Sequence, residues 1–205
     1  MIISYLGKAF IKIQHGDLIA AFNPPGKDSS FKAARFGADL AVVSLNDADY
    51  NGAETVAYAS KTPFIINGPG EYEISGNFVR GFSSVGPRNK INTIYTLTVD
   101  NVNICHLGVL ADIKLDDKTT EEIGAVDVLV TPIGEGGTIS AKDAAKLAAS
   151  LEPKIIVPIL YSEKGQELKT FLKEMGGGET KVDKLSLRKK DLEGKEGDVF
   201  IVASQ

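Results

Sequence analysis

Two carboxylates, Asp47 and Asp49, stand two residues apart in the polar segment Ser44-Leu45-Asn46-Asp47-Ala48-Asp49-Tyr50. Carboxylates at that spacing can share a hard cation through oxygen, in a site that keeps several waters and binds weakly. The same residues serve equally well as Asx-turn formers and solvated loop acids, with no ion involved. Few other side chains could complete a metal site. The chain has only two histidines, His15 and His106, and one cysteine, Cys105, too few strong donors for a dinuclear zinc centre. Glu71 and Glu73 share a face of a regular strand and can be structural acids as readily as a catalytic pair. Ser83 or Ser84 with His106 and Asp112 supplies the residue types of a nucleophilic triad, but nothing in their spacing supports one. Gly68-Pro69-Gly70-Glu71 lacks the Gly-x-x-x-x-Gly-Lys pattern of a phosphate loop and reads as a tight turn into a hairpin. Gly134-Glu135-Gly136-Gly137-Thr138 precedes a helix whose N-terminus could receive an anion, or is a plain loop.

The elements that must carry these residues divide the chain in two. In the first half, β-branched and aromatic runs predict strands over 2–6, 9–14 and 18–22, with Gly16-Asp17 as a hairpin turn that leaves His15 exposed. Residues 29–36 could form a short helix ended by Gly37. The continuous apolar run 38–44 predicts a strand covered on both faces, delivering Asp47 and Asp49 from its end. Further strands are expected over 64–66, 72–74, 77–82, 92–99 and 102–106. The second half alternates. A helix over 119–123 precedes buried strands over 126–131 and 155–158. Between those two strands lies an alanine-rich helix over 141–151, capped by Ser140 with Asp143 at its third position and stopped before Pro153. A helix over 165–175, a Gly176-Gly177-Gly178 break and closing edge strands over 184–187 and 199–203 complete the reading. Strands first, then alternating strands and helices, predict an α/β domain with sheets covered by helices on their outer faces.

At 205 residues the chain is long enough for one domain with a full core. Its net charge of −4 offers no general attraction for nucleic acid or membrane surfaces. The basic run Leu187-Arg188-Lys189-Lys190 is flanked by Asp183, Asp191 and Glu193, as a solvated turn would be. A lone cysteine excludes an internal disulfide and fits a reducing compartment, and its apolar neighbours predict a buried, inert thiol. The first residues carry no signal-peptide pattern, and no apolar run approaches the ~18–20 residues of a membrane span. A cytoplasmic protein is expected.

Several separated motifs resemble one family in order. They are Ser4-Tyr5-Leu6-Gly7, Ala38-Asp39-Leu40-Ala41-Val42-Val43-Ser44 and Gly68-Pro69-Gly70-Glu71-Tyr72-Glu73-Ile74-Ser75-Gly76, then Asn92-Thr93-Ile94-Tyr95 and His106-Leu107-Gly108. The last two are Val126-Asp127-Val128-Leu129-Val130-Thr131-Pro132-Ile133-Gly134 and Pro153-Lys154-Ile155-Ile156-Val157-Pro158. The set resembles the metallo-β-lactamase superfamily, in its branch of Zn-dependent hydrolases similar to the ascorbate-6-phosphate lactonase group. The resemblance implies a four-layer αβ/βα sandwich in a single domain over residues 1–205.

It also implies where a metal would be held. The family's segment Ser-His-x-His-x-Asp-His aligns with Ser44–Tyr50, so its histidine positions carry Leu45, Asp47 and Tyr50, and only Asp49 matches. The remaining ligand positions fall near Val85, at Val109 and at Leu160. His106 falls where the family has a non-ligand histidine. Glu71, His106 and Gly136 would be contacts at the site mouth. With nearly all ligands replaced, the expectation is a non-catalytic binding or assembly module with no cofactor and no catalytic residue, the former cavity either filled or open to an apolar ligand. Its partner is unknown, with a second copy or an active relative as candidates, and neither nucleic acid nor membrane. The alternative is a hydrolase of small esters, phosphodiesters or lactones that uses Asp47, Asp49 and Glu71 around a divalent metal.

Overall fold

The computed structural model describes all residues except 33, 34, 59 and 163. In chain order the strands of the first half are β1 (Ile2–Tyr5), β2 (Ile11–His15), β3 (Leu18–Phe22), β4 (Leu40–Val42), β5 (Phe64–Ile66), β6 (Gly70–Ile74) and β7 (Asn77–Val85). They continue as β8 (Ile91–Val99), β9 (Val102–His106), β10 (Val128–Pro132), β11 (Ile155–Ile159), β12 (Thr180–Val182), β13 (Leu185–Ser186) and β14 (Asp198–Val202). Among the described residues three α-helices join them: α1 (Asp117–Ile123), α2 (Ala141–Leu151) and α3 (Glu167–Glu174).

The strands form two sheets. The smaller has the order β13-β1-β2-β3-β4-β5 and the larger β12-β14-β11-β10-β9-β8-β7-β6. Each changes from antiparallel to parallel pairing partway. β1, β2 and β3 run antiparallel, then β3, β4 and β5 parallel. β6 to β9 make an antiparallel meander, and β9, β10, β11 and β14 run parallel. Parallel strands need long crossovers, and α2 supplies the one between β10 and β11. The core strands β4, β10 and β11 are buried along their whole length, as their unbroken apolar runs require.

One core fills the space between the sheets, with Ile3, Ile13, Phe22 and Val42 facing Tyr95, Leu97, Val130 and Val157. A second lies between the larger sheet and its helices, where Leu129 and Ile156 meet Ala144, Leu147, Ala148 and Phe171. Ser140 caps α2 by accepting the Asp143 N–H at 3.2 Å, and Glu152 closes the helix in a left-handed conformation just before Pro153. On the outer face of the smaller sheet a third cluster joins Phe10, Ala21, Ala41, Ala53 and Val56. Among the described residues, the 3-10 turn Ala53–Val56 packs on that face.

The sandwich expected from the sequence is present, and it differs from the expectation at several points. The helix expected over 29–36 falls partly on residues 33 and 34, outside the described residues, and the described flanks are not helical. β14 is an interior strand, because the edge position is taken by β12. That polar, mostly exposed three-residue strand has no apolar pattern to reveal it. The expected strand over 38–44 shortens to β4. His15 ends β2 and is half-buried rather than exposed. Among the described residues no helix is long and apolar enough to cross a membrane.

Candidate functional site

The ends of β4, β9, β10 and β11 and the β7–β8 turn open toward one side of the sandwich, and the loops leaving them carry the positions singled out above. β4 ends at Val42, so Ser44–Tyr50 follows as a compact loop, with Tyr50 N–H and Asn51 N–H both donating to the Asp47 carbonyl at 2.8 and 3.0 Å. Leu45, Tyr50, Val109 and Leu160 are 3%, 8%, 0% and 2% exposed and join the core between the sheets. The loops above close on them. A Cβ placed on Gly86 would lie 3.2 Å from the Leu45 Cδ1, and one on Gly136 would lie 3.5 Å from the Tyr50 hydroxyl. All four side chains are thus buried in the core between the sheets. Val85 stays apart, 42% exposed at the end of β7.

The two carboxylates are held by cations of the chain itself. Asp49 receives Lys8 Nζ at 2.6 Å on one oxygen and the Ser29 hydroxyl at 2.6 Å on the other. Asp47 receives Lys90 Nζ at 2.8 Å and the Arg88 guanidinium at 3.3 Å on one oxygen. These bonds hold both carboxyls below the usual carboxylate range, Lys90 acting most strongly on Asp47 and Lys8 on Asp49. Lys8 and Lys90 lie 41 and 43 residues from their partners, so no local pattern could have announced them.

Other expected contacts are dispersed. Glu71 sits on the exposed edge strand β6, 3.6 Å from Arg80, and does not join the aspartates. His106 lies in the interior rather than at the mouth. Its ring stacks on Phe22 at 5.2 Å, and its Nδ1 accepts the Gly108 N–H at 2.9 Å. Burial lowers its pKa to about 4, so the imidazole is neutral. That position removes any triad with Ser83, Ser84 and Asp112. Cys105 is fully buried and its thiol is pushed up to about 12, as an inert core cysteine should be.

A buried polar network beneath the loops escaped the sequence reading. Asn23, left-handed at φ 51°, accepts the Ser44 N–H on Oδ1 at 2.7 Å. Asn92 accepts the Val109 N–H at 2.9 Å and donates to the Leu107 carbonyl and the Ser84 hydroxyl at 3.0 and 2.8 Å. Gly108 at φ 65° fits between Asn92 and Ser44 only because it lacks a Cβ, which would lie 2.4 Å from Asn92 Oδ1 and 2.7 Å from Ser44 Oγ. The network anchors the loops after β4 and β9 by satisfying their backbone.

Residues 2–160 match the family described as Beta-lactamase superfamily domain. A Pyrococcus furiosus protein of the UPF0173 family is 30% identical over 131 residues, 62% of this chain and 60% of that one. The chain thus spans about 60% of the length of the first curated relatives it matches. A "UPF0173 metal-dependent hydrolase" of Lysinibacillus sphaericus is 26% identical over 196 residues, covering 79% of this chain and 86% of its own. Among solved structures, a Thermotoga maritima protein described as a Zn-dependent hydrolase of the metallo-β-lactamase superfamily superposes with a TM-score of 0.81 at 26% identity. The match covers 100% of this chain and 99% of that one.

These names overturn the expectation of no cofactor: they put a divalent metal with the family. The residues that the resemblance assigns to ligand positions do not fit such an ion. Leu45, Val109 and Leu160 offer no donor atom, and Asp47 and Asp49 already face two ammonium groups and a guanidinium that would repel a cation. Among the described residues no group of three or more His, Cys, Asp or Glu is placed to hold a metal.

Proposed function

Since the chain belongs to the β-lactamase superfamily domain family, with the metallo-β-lactamase fold, we propose that this member acts by binding rather than by hydrolysis, as one domain over residues 1–205. One observation supports the reading: Asp47 and Asp49 are each engaged by a lysine, and Leu45, Tyr50, Val109 and Leu160, which the resemblance assigns to ligand positions, are buried. Hydrolysis on this fold needs a polarised water and an open site to hold substrate beside it. Leu45 and Tyr50, which the resemblance assigns to ligand positions, are 3% and 8% exposed here and leave little room for one. A binding role calls for a partner, and a second copy or a catalytically intact relative are the candidates.

The test is turnover. The protein is incubated separately with Zn²⁺, Mn²⁺ and Fe²⁺ and supplied with p-nitrophenyl acetate, bis(p-nitrophenyl) phosphate and an aromatic lactone. No saturable turnover above that of Asp49→Asn is expected. Turnover that disappears in Asp47→Asn or Asp49→Asn overturns the reading.

The relatives' names favour a second reading, a metal-dependent hydrolase of small esters or lactones working through Asp47 and Asp49. An ion would then have to displace Lys8 and Lys90. On that reading the Lys8→Met, Lys90→Met double variant binds Mn²⁺ at least tenfold more tightly than the unaltered protein in calorimetry. On the first reading its affinity is no higher.

A further inference from the structure

Among the described residues four strands lie at sheet edges, β13 and β5 in the smaller sheet and β12 and β6 in the larger. A free edge presents unpaired backbone groups, and charge is a common guard against pairing there. β6 has Glu71 and Glu73, β12 has Lys181, and β13 lies between Lys184 and Arg188. β5 has no such guard. From Thr62 to Gly70 the chain carries no charged residue.

β5 also leaves apolar side chains in water. Phe64 and Ile65 are 52% and 51% exposed. They lie on opposite faces, since Phe64 pairs with Leu40 of the core between the sheets and Ile65 with Ala41 of the outer cluster. A cleft of about 720 Å³ opens beside Ile65, with Val43, Ala53 and Pro63 among its walls. The backbone has a direction too. Phe64 N–H donates to the Asp39 carbonyl, and the Ile66 carbonyl accepts the Val43 N–H, both at 2.8 Å. Phe64 and Ile66 therefore bond to β4, and the alternation along a strand turns the Ile65 N–H and carbonyl to the free edge.

We propose that the β5 edge pairs with the β5 edge of a second copy, antiparallel about a two-fold axis at Ile65. The proposal rests on the binding reading above and names its partner. Ile65 opposite its symmetry mate exchanges both N–H···O bonds, and Phe64 meets Ile66 of the copy on the inner face. Two six-stranded sheets join in this way into one of twelve strands. An extended peptide, the other occupant of a free edge, finds no donor at Pro63 to continue the ladder. Half-exposed, Phe64 and Ile65 bring only about 200 Å² to the contact, against the ~800 Å² per partner of a standard interface. The dimer is accordingly weak and reversible, forming in the micromolar range.

The test is sedimentation equilibrium of the whole chain from about 5 to about 500 µM, the range of a weak interface. Mass should rise from that of the 21.9 kDa monomer toward twice that value and stop there, because a two-fold contact is closed. Ile65→Lys sets like charges opposite each other and should weaken the dimer at least tenfold. Ile2→Lys, at an exposed position on β1 toward the far edge of the same sheet, should leave it unchanged. Should Ile65→Lys fail to fold, a cysteine variant decides. Ile65→Cys brings two thiols across the axis with Cα atoms about 5.5 Å apart, within disulfide reach. It should cross-link on oxidation at least tenfold faster than Ile2→Cys, and the buried Cys105 does not interfere. A chain that stays monomeric throughout, association beyond the dimer, a dimer indifferent to Ile65→Lys, or equal cross-linking of the two cysteine variants overturns the proposal. Turnover in the assay above would end the binding reading and leave these masses standing, so the two failures are distinguishable.

Discussion

Leu45→Ala separates a filled former site from an open one. The Leu45 side chain is 3% exposed, belongs to the core between the sheets and sits beneath Gly86. Truncation removes about three methylene equivalents from a dry environment, about 2.4 kcal/mol at ~0.8 kcal/mol each. The residual void adds to this, so a loss of about 3 kcal/mol is expected, within the ~2–5 kcal/mol range of buried leucine truncations. At ~2–4 °C per kcal/mol for a chain of this size, the midpoint should fall by roughly 6–12 °C. Urea unfolding read by circular dichroism measures it, with the slope m as a check that the denatured state is unaltered. Val85→Ala is the internal control: that side chain is 42% exposed, and its loss should stay within ~0.5 kcal/mol. A Leu45→Ala change as small as that of Val85→Ala would mean that Leu45 lines an open cavity, and the packing argument would be refuted.

Three further outcomes follow from the site. His106 has its pKa lowered to about 4 in the fold, against ~6.5 in an unfolded chain, so as pH falls the unfolded state takes up the proton first. Stability is therefore intact above about pH 6.5 and lost between there and about pH 4, by on the order of 3 kcal/mol. His106→Asn, which keeps an acceptor for the Gly108 N–H, should flatten that slope in urea unfolding measured across the range. In a double-mutant cycle, Lys8→Met and Asp49→Asn should couple by about 1 kcal/mol, discounted for side chains 31% and 33% exposed, and zero coupling would mean that the ion pair is ornamental. Cys105 should fail to react with Ellman's reagent in the folded protein and react stoichiometrically in 6 M guanidinium chloride, whereas rapid labelling of the native state would contradict its burial.

What could be read in the sequence was what is local. The helix over 141–151 matches the structure end to end, because Ser140 and Pro153 mark its limits chemically and the alanine stripe marks its face. Strands β3, β5 and β9 also match, each being a short apolar run between turn residues. β12 was missed because an exposed edge strand of Thr, Lys and Val carries no apolar alternation. The loop that carries Asp47 and Asp49 was legible as a polar segment following a buried strand. Its electrostatics were not. Lys8 comes from the β1–β2 turn and Lys90 from the start of β8, and only the fold brings them to the carboxylates. Asn23 and Asn92 were equally silent, since an asparagine that ties two loops together looks in sequence like any turn residue.

The two asparagines and Leu160 hold the loops at this end of the sandwich in different ways. A buried ligand cluster without its ion would leave unpaired polar groups, at a cost of several kcal/mol. Apolar residues at Leu45, Val109 and Leu160 remove that cost directly, so they can be accommodated only as a set with the space closed over them. The backbone polar groups of the loops cannot be removed in the same way. Ser44 N–H and Val109 N–H still need acceptors, and Asn23 and Asn92 supply them. Leu160 records the same constraint in its backbone, which stays left-handed at φ 53° although a leucine there costs about 1–2 kcal/mol. The Glu135 N–H bonds to its carbonyl at 2.9 Å, and its own N–H reaches the Lys8 carbonyl at 3.3 Å, so that conformation ties three loops together. The geometry of these loops is therefore held by backbone hydrogen bonds that do not depend on the side chains at Leu45, Val109 and Leu160.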